Sequence, residues 1–92
     1  MFFGPRLNVI GSDSGFSVEI LGRTGIRYSE GHKSMLIDSE VLARSGIQIF
    51  SKSIKAWDPP DSEDQVSAEK KREIINNIRA ALDFKNEPFF VD

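Results

Sequence analysis

The chain has 92 residues, no cysteine and a formal net charge of −2, with 39% apolar and 28% charged residues. The length suits a single domain, and the composition is that of a globular protein rather than a disordered one. The missing cysteines exclude disulfides, thiolate metal sites and cysteine nucleophiles, and the acidic balance disfavours nucleic acid as a partner.

Short apolar runs separated by turn residues occupy the first two thirds of the chain. Leu7–Ile10 predicts a first strand, and Phe16–Ile20 alternates apolar and polar residues with the period of a half-buried strand. Ile26–Tyr28 and Met35–Ile37 predict two more strands, joined by a hairpin loop at Glu30–Lys33. Several short strands in succession, linked by tight turns, indicate an antiparallel meander.

The next segment, Asp38–Gly46, leaves two interpretations open. It is either a further strand or one helical turn ended by Gly46, and we favour a strand or an irregular segment. Ile47–Phe50 and Ser53–Trp57 each place apolar residues at alternate positions, so both predict strands. Strands are therefore expected across about residues 7–57.

An acidic connector at residues 58–66 ends the strand region, because Pro59 and Pro60 have no N–H to give to a sheet. Ser67 suits a helix N-cap, and apolar residues then recur with helical spacing at Ile74, Ile75, Ile78, Ala81 and Leu82. This pattern predicts a helix at about 67–84, followed by a short strand or tail at 85–92. The expected fold is one α+β domain over residues 1–92, in which the amphipathic helix packs on one face of an antiparallel sheet of about four to six short strands.

No pattern typical of a catalytic or metal site occurs. The single histidine, His32, lies in the predicted hairpin loop and is interpreted as solvated, and the carboxylates of the connector lack the spacing of a calcium loop. We therefore predict no enzyme activity and no cofactor. No run approaches the ~18 apolar residues of a transmembrane helix, and the start of the chain does not resemble a signal peptide, so we expect a cytoplasmic protein that does not associate with membranes.

Two aromatic residues and the carboxylates of the connector are candidates for binding a partner protein: Trp57, Tyr28, Asp58, Asp61, Glu63 and Asp64. Tryptophan is enriched at the centres of interfaces, and acidic side chains steer association with a basic partner. The alternative is structural, with Trp57 packed in the core and the carboxylates placed at the positive end of the helix. Phenylalanines at positions 2, 3, 89 and 90 are expected to pack on this domain or on a second copy, which leaves a homodimer open.

Four segments in this order suggest a family: Gly25–Gly31 with Tyr-x-Glu-Gly, Met35–Glu40, Ile54–Pro59 with Trp-x-Pro, and the helix around Ile74–Ile78. Over roughly residues 25–84 the chain resembles the immunity protein 74 family, small bacterial proteins that are thought to neutralise toxins of polymorphic toxin systems. The resemblance implies a non-enzymatic inhibitor that binds a cognate toxin, and it implies no functional residues. The alternative function is that of a small regulatory or nucleic-acid-binding protein of the antitoxin type, which a continuous positive sheet face would favour.

Overall fold

The computed structural model describes residues 2–6, 8–22, 24–43 and 46–92, and within this part the chain forms seven strands and one α-helix. The elements are β1 (Phe2–Arg6), β2 (Val9–Ser12), β3 (Phe16–Ile20), β4 (Gly25–Glu30), β5 (Lys33–Val41), β6 (Ile47–Ile49), a short 3₁₀ helix (Ser51–Ser53), α1 (Ala68–Phe84) and β7 (Phe89–Val91). The predicted start of the first strand, Leu7, lies outside the described residues, as do Arg44 and Ser45 of the segment 38–46.

The strands form one curled sheet in chain order, with β1 at one edge and β7 at the other. Neighbouring strands are antiparallel from β1 to β6, whereas β7 runs parallel to β6. The pairing is parallel because α1 crosses back along the sheet between these two strands, as parallel connections require. The predicted α+β class is confirmed, but the sheet is mixed and has seven strands, not four to six antiparallel ones.

Strand β1 lies outside the predicted strand region, which begins at residue 7. Its sequence contains Gly4 and Pro5, two residue types that are depleted in strands. They are tolerated because β1 is an edge strand whose register against β2 shifts between Phe3 and Arg6.

The extent of strand β5 distinguishes between the two interpretations of residues 38–46. Its side chains alternate between buried and exposed as far as Ser39, and the chain stays extended through Val41. The Leu42 N–H then donates to the Gly46 carbonyl at 3.0 Å, and Gly46 has a φ of 105°, in the left-handed region that favours glycine. A strand is confirmed for residues 38–41, and the helical turn is not formed there.

The strand predicted at Ser53–Trp57 does not form. Residues Ser51–Ser53 make a 3₁₀ turn, and Ala56 forms only an isolated bridge with Gln65. The Ser53 hydroxyl donates to the Phe50 carbonyl at 2.7 Å and accepts from the Asp38 N–H at 2.9 Å. A serine side chain that bonds to nearby backbone in this way competes with a sheet ladder, so the alternation of apolar residues was misleading here.

Helix α1 begins and ends where the sequence indicates. The Ser67 hydroxyl accepts the Lys70 N–H at 3.1 Å, as an N-cap does. At the other end Asn86 has a φ of 57°, and the N–H groups of Asn86 and Glu87 donate to the Asp83 and Leu82 carbonyls at 2.9 Å each. These two bonds form a Schellman motif, which satisfies carbonyls at the end of the helix.

The helix lies across the concave face of the sheet and closes the core. Ile74, Ile78, Ala81 and Leu82 are buried, as predicted, and Ile75 is half-buried. They meet inward-facing side chains of the strands, chiefly Ile10, Val18, Ile26, Tyr28, Met35, Ile37 and Ile49. No helix in the described part of the chain has the length and apolar character needed to cross a membrane.

Phe2 and Phe3 contact residues of their own chain, although Phe3 and Phe90 remain about half exposed. The Phe2 ring lies 5.8 Å from the rings of Phe16 and Phe84, measured between centroids. The Phe3 ring covers Gly11 so closely that a Cβ there would lie 2.6 Å from Phe3 Cε2. Both ends of the chain are therefore held in strands of the domain.

Candidate functional site

A buried tyrosine joins the sheet to the helix. Tyr28 lies in the middle of β4 with its side chain on the concave face, and it has no exposed surface. Its hydroxyl donates to Glu30 Oε1 at 2.8 Å and accepts from Asn77 Nδ2 of α1 at 2.8 Å. Burial raises the pKa of Tyr28 far above its ordinary value, and the bond from Asn77 opposes this effect only in part. The hydroxyl is therefore neutral and acts as a fixed link.

Glu30 extends this link to the first turn of the helix. Its Oε2 pairs with Lys70 Nζ, and the same ammonium lies 3.3 Å from Glu73 Oε1. Burial pushes the pKa of Glu30 upward, but hydrogen bonds from Lys70 and Tyr28 outweigh this, so the pKa lies below its ordinary value. The hydrogen bond to Glu30 raises the pKa of Lys70. Both groups are charged at neutral pH, and they fix the start of α1 to the end of β4.

Trp57 lies beneath the acidic connector. The side chain is 5% exposed, and its ring centroid is 6.2 Å from that of Tyr28. Lys33 Nζ lies over the outer side of the indole, 5.8 Å from its centroid. The Asp58 N–H donates to the Ser34 carbonyl at 2.7 Å, which ties the beginning of the connector to β5. These contacts favour the structural alternative for Trp57, because the ring has almost no free surface for a partner.

The carboxylates of the connector lie at the surface above these rings. Two consecutive turns fold the segment, since the Asp61 N–H donates to the Asp58 carbonyl and the Asp64 N–H to the Asp61 carbonyl, each at 3.0 Å. Asp64 Oδ2 pairs with Lys33 Nζ at 2.7 Å, and Asp61 Oδ1 lies 3.7 Å from His32 Nε2. The hydrogen bond between Lys33 and Asp64 lowers the pKa of Asp64 and raises the pKa of Lys33. The tip of the β4–β5 hairpin therefore holds the connector in place.

The exposure of the four carboxylates differs along the segment. Glu63 and Asp64 are exposed, whereas Asp58 and Asp61 are half-buried. Oδ2 of Asp61 is buried and accepts no hydrogen bond from the described residues, which is uncommon for a buried polar atom. We call this surface, formed by Asp58, Asp61, Glu63 and Asp64, the acidic face.

The six predicted site residues are thus brought together in two layers. Tyr28 and Trp57 form the buried layer, and Lys33 links it to the acidic face, because its Nζ lies near the Trp57 ring and pairs with Asp64. Three residues that hold this arrangement were not predicted: Glu30, Lys70 and Asn77. Glu30 and Lys70 are 40 residues apart, and Tyr28 and Asn77 are 49 apart, so no local spacing in the sequence reveals the pairing.

The side chains near the acidic face do not form a recognisable catalytic arrangement. The His32 side chain is 81% exposed, and its nearest acidic partner lies at an ion-pair distance rather than a hydrogen-bonding one. Among the described residues, no group of three or more histidines and carboxylates is placed to hold a metal ion.

Comparison with known proteins assigns the chain to a family. The sequence model of immunity protein 74 matches residues 17–89, which run from the second residue of β3 through the acidic face and α1 to Phe89, the first residue of β7. The chain belongs to the immunity protein 74 family. The family suggests an immunity protein for a toxin, and strands β1 and β2 lie outside the match. No curated protein and no solved structure matches the chain.

Proposed function

We propose that this member of the immunity protein 74 family is a non-enzymatic inhibitor that neutralises a cognate bacterial toxin by binding it. The match over residues 17–89 is the observation that carries the proposal. The absence of cysteine supports a location in the cytoplasm, where the toxin would otherwise act.

The acidic face is the surface that we assign to the toxin. It holds four carboxylates, and in the part of the chain that the structure describes Lys33 is the only lysine or arginine that pairs with them, so the surface carries a net negative charge. Toxins that act on nucleic acids carry positive surfaces, and opposite potentials speed association and discriminate between partners.

Rigidity of the acidic face supports the same assignment. The two turns of the connector, the pair between Lys33 and Asp64 and the buried layer of Tyr28 and Trp57 all restrict its conformations. A surface that is already ordered loses less conformational entropy on binding, so more of the contact energy appears as affinity. In this proposal the two rings support the surface from below and do not touch the toxin.

The antitoxin-like alternative is less well supported. It needs a continuous positive sheet face, but the outer face places Arg27 directly opposite Glu19 and also exposes Asp38 and Glu40. The described residues of this face therefore mix both signs of charge. Such a face does not provide the phosphate neutralisation on which nucleic-acid affinity depends.

Charge reversal tests the assignment of the acidic face. Glu63 is exposed and makes no ion pair with the described residues, so Glu63→Lys changes the charge without breaking a contact of the fold. Association with the purified toxin, followed by stopped-flow fluorescence, should slow several-fold at low ionic strength and lose part of its salt dependence. The matched control is Glu40→Lys on the exposed outer face of β5, which should leave the rate nearly unchanged. Equal effects of both variants, or no effect of Glu63→Lys, would place the toxin on another surface.

A further inference from the structure

Strand β7 leaves one row of backbone groups without partners. The Ile47 N–H donates to the Pro88 carbonyl at 2.9 Å, and the Asp92 N–H donates to the Ile49 carbonyl at 3.0 Å. Because alternate residues of a strand direct their polar groups to opposite sides, Phe90 also faces β6, whereas Phe89 and Val91 face outward. Two N–H and two C=O groups therefore form a free edge, and no described residue pairs with them.

This edge is fixed at both ends. Before β7, the Gly46 N–H donates to Glu87 Oε1 at 3.0 Å. After it, the Ser51 hydroxyl donates to the Asp92 carbonyl at 3.2 Å. The edge is thus preformed, which lowers the entropy lost when another strand pairs with it.

The two edges of the sheet differ in how they are protected. Strand β1 has Pro5, which lacks an N–H, and an irregular register against β2. Very short strands, prolines, charges and bulges are the usual protection of an edge against further pairing, and of these β7 has only its length of three residues. Strand β7 contains neither proline nor charge, and Phe90 and Val91 are exposed, with Phe90 48% accessible.

We propose that β7 pairs antiparallel with β7 of a second copy of this chain, around a two-fold axis that passes between the two Phe90 residues. In this register Phe89 of each copy lies opposite Val91 of the other, and each such pair exchanges two N–H···O bonds. All outward-facing groups of Phe89 and Val91 are then used, four bonds in total by this count. The two Phe90 residues become direct neighbours across the strands, which buries apolar surface.

The charges beside β7 favour a second copy over a basic toxin. An open groove of about 600 Å³ runs between the last turns of α1 and β7, and its lining includes Arg79, Asp83 and Phe89. The Arg79 guanidinium lies 5.3 Å from the centroid of the Phe89 ring. A surface that meets its own image cannot carry a strong charge of one sign only, because such a patch would repel itself. The groove meets this condition, whereas the acidic face does not.

Both interfaces can be occupied at once. The acidic face lies near the beginning of α1, whereas β7 lies near the end of this helix. The 17 residues of α1 span roughly 25 Å. The dimer therefore does not depend on the toxin proposal. It predicts an assembly of two inhibitors that each keep a free acidic face.

Hydrogen exchange tests the pairing residue by residue. In the dimer, the amides of Phe89 and Val91 should gain protection as the protein concentration rises from about 1 to 500 µM, across the dissociation constants of weak interfaces. The amides of Phe90 and Asp92, which face β6, should be protected throughout. Light scattering on the same samples should approach twice the 10.3 kDa of one chain. A mass of one chain at every concentration, with Phe89 and Val91 unprotected, would overturn the proposal.

A proline at position 91 distinguishes pairing through β7 from dimer contacts made elsewhere on the surface. Val91→Pro removes an N–H that only the second copy uses, so it should abolish dimers while circular dichroism shows an intact fold. The control Leu36→Glu changes another exposed apolar residue, 49% accessible against 37% for Val91, on the outer face of β5, and it should dimerise like the natural chain. Dimers that survive Val91→Pro would refute pairing through β7. Protection of Phe89 and Val91 only in the complex with toxin would show that the edge accepts a strand of the toxin instead.

Discussion

Replacing Tyr28 by phenylalanine removes one buried hydroxyl and keeps the ring. The lost bond to Glu30 involves a charged group and is worth about 1.5–3 kcal/mol, and the lost bond from Asn77 is worth about 0.5–1.5 kcal/mol. Glu30 keeps Lys70, and half-buried Asn77 regains some contact with water, so we expect a total loss of about 2–4 kcal/mol. This is a large part of the ~5–15 kcal/mol that holds a typical domain folded.

Urea unfolding followed by circular dichroism and by the fluorescence of Trp57, the single tryptophan, measures this loss. The midpoint should fall while the slope with urea stays constant. Asn77→Ala should also destabilise the protein, and the double variant should lose less than the sum of the single losses, because both changes remove the same bond. Asn76→Ala, at the neighbouring exposed position of α1, is the matched control and should cost much less. A loss below about 0.5 kcal/mol for Tyr28→Phe would refute the view that this hydroxyl joins sheet and helix.

Two further predictions concern the helix. Ile78→Ala should lower the free energy of unfolding by about 2–5 kcal/mol, because the side chain is fully buried. Ile75→Ala, the same change at a half-buried position, should lower it less. The urea midpoints of the two variants measure this difference, and equal losses would contradict the packing described. Because folding lowers the pKa of Glu30 from its ordinary 4.5, its contribution is present above that pH and is lost as the pH falls through the folded-state pKa. Unfolding free energies between about pH 6 and 3 should therefore fall less steeply for Glu30→Gln than for the natural chain, and identical slopes would mean that the pair with Lys70 contributes nothing.

The helix and the central strands follow from local signals in the sequence. Ser67, the apolar stripe of α1 and the stop at Asn86 each act within a few residues, so spacing and propensity suffice to predict them. The same holds for the alternation in β3. Strand β1 was missed because its Gly4 and Pro5 are acceptable only at an edge, and the sequence does not say which strand lies at an edge.

The candidate site was only partly predictable for a related reason. The acidic run is visible in the sequence, but its attachment to the hairpin by Lys33 requires the fold. Burial of Trp57 and Tyr28 depends on how α1 and the connector close over the sheet, and both an exposed and a buried position agree with their sequence context. The parallel pairing of β7 likewise appears only once the crossover by α1 is known.

Growth rescue by co-expression tests the central claim most directly. The protein encoded beside this chain in its native genome is the candidate toxin and would be expressed from an inducible promoter, with and without this chain, in a heterologous bacterium. The account predicts that the chain restores growth, that the two proteins co-purify at fixed stoichiometry, and that Glu63→Lys weakens the rescue at low expression while Glu40→Lys does not. Unchanged toxicity in the presence of folded chain, with no complex on co-purification, would contradict it.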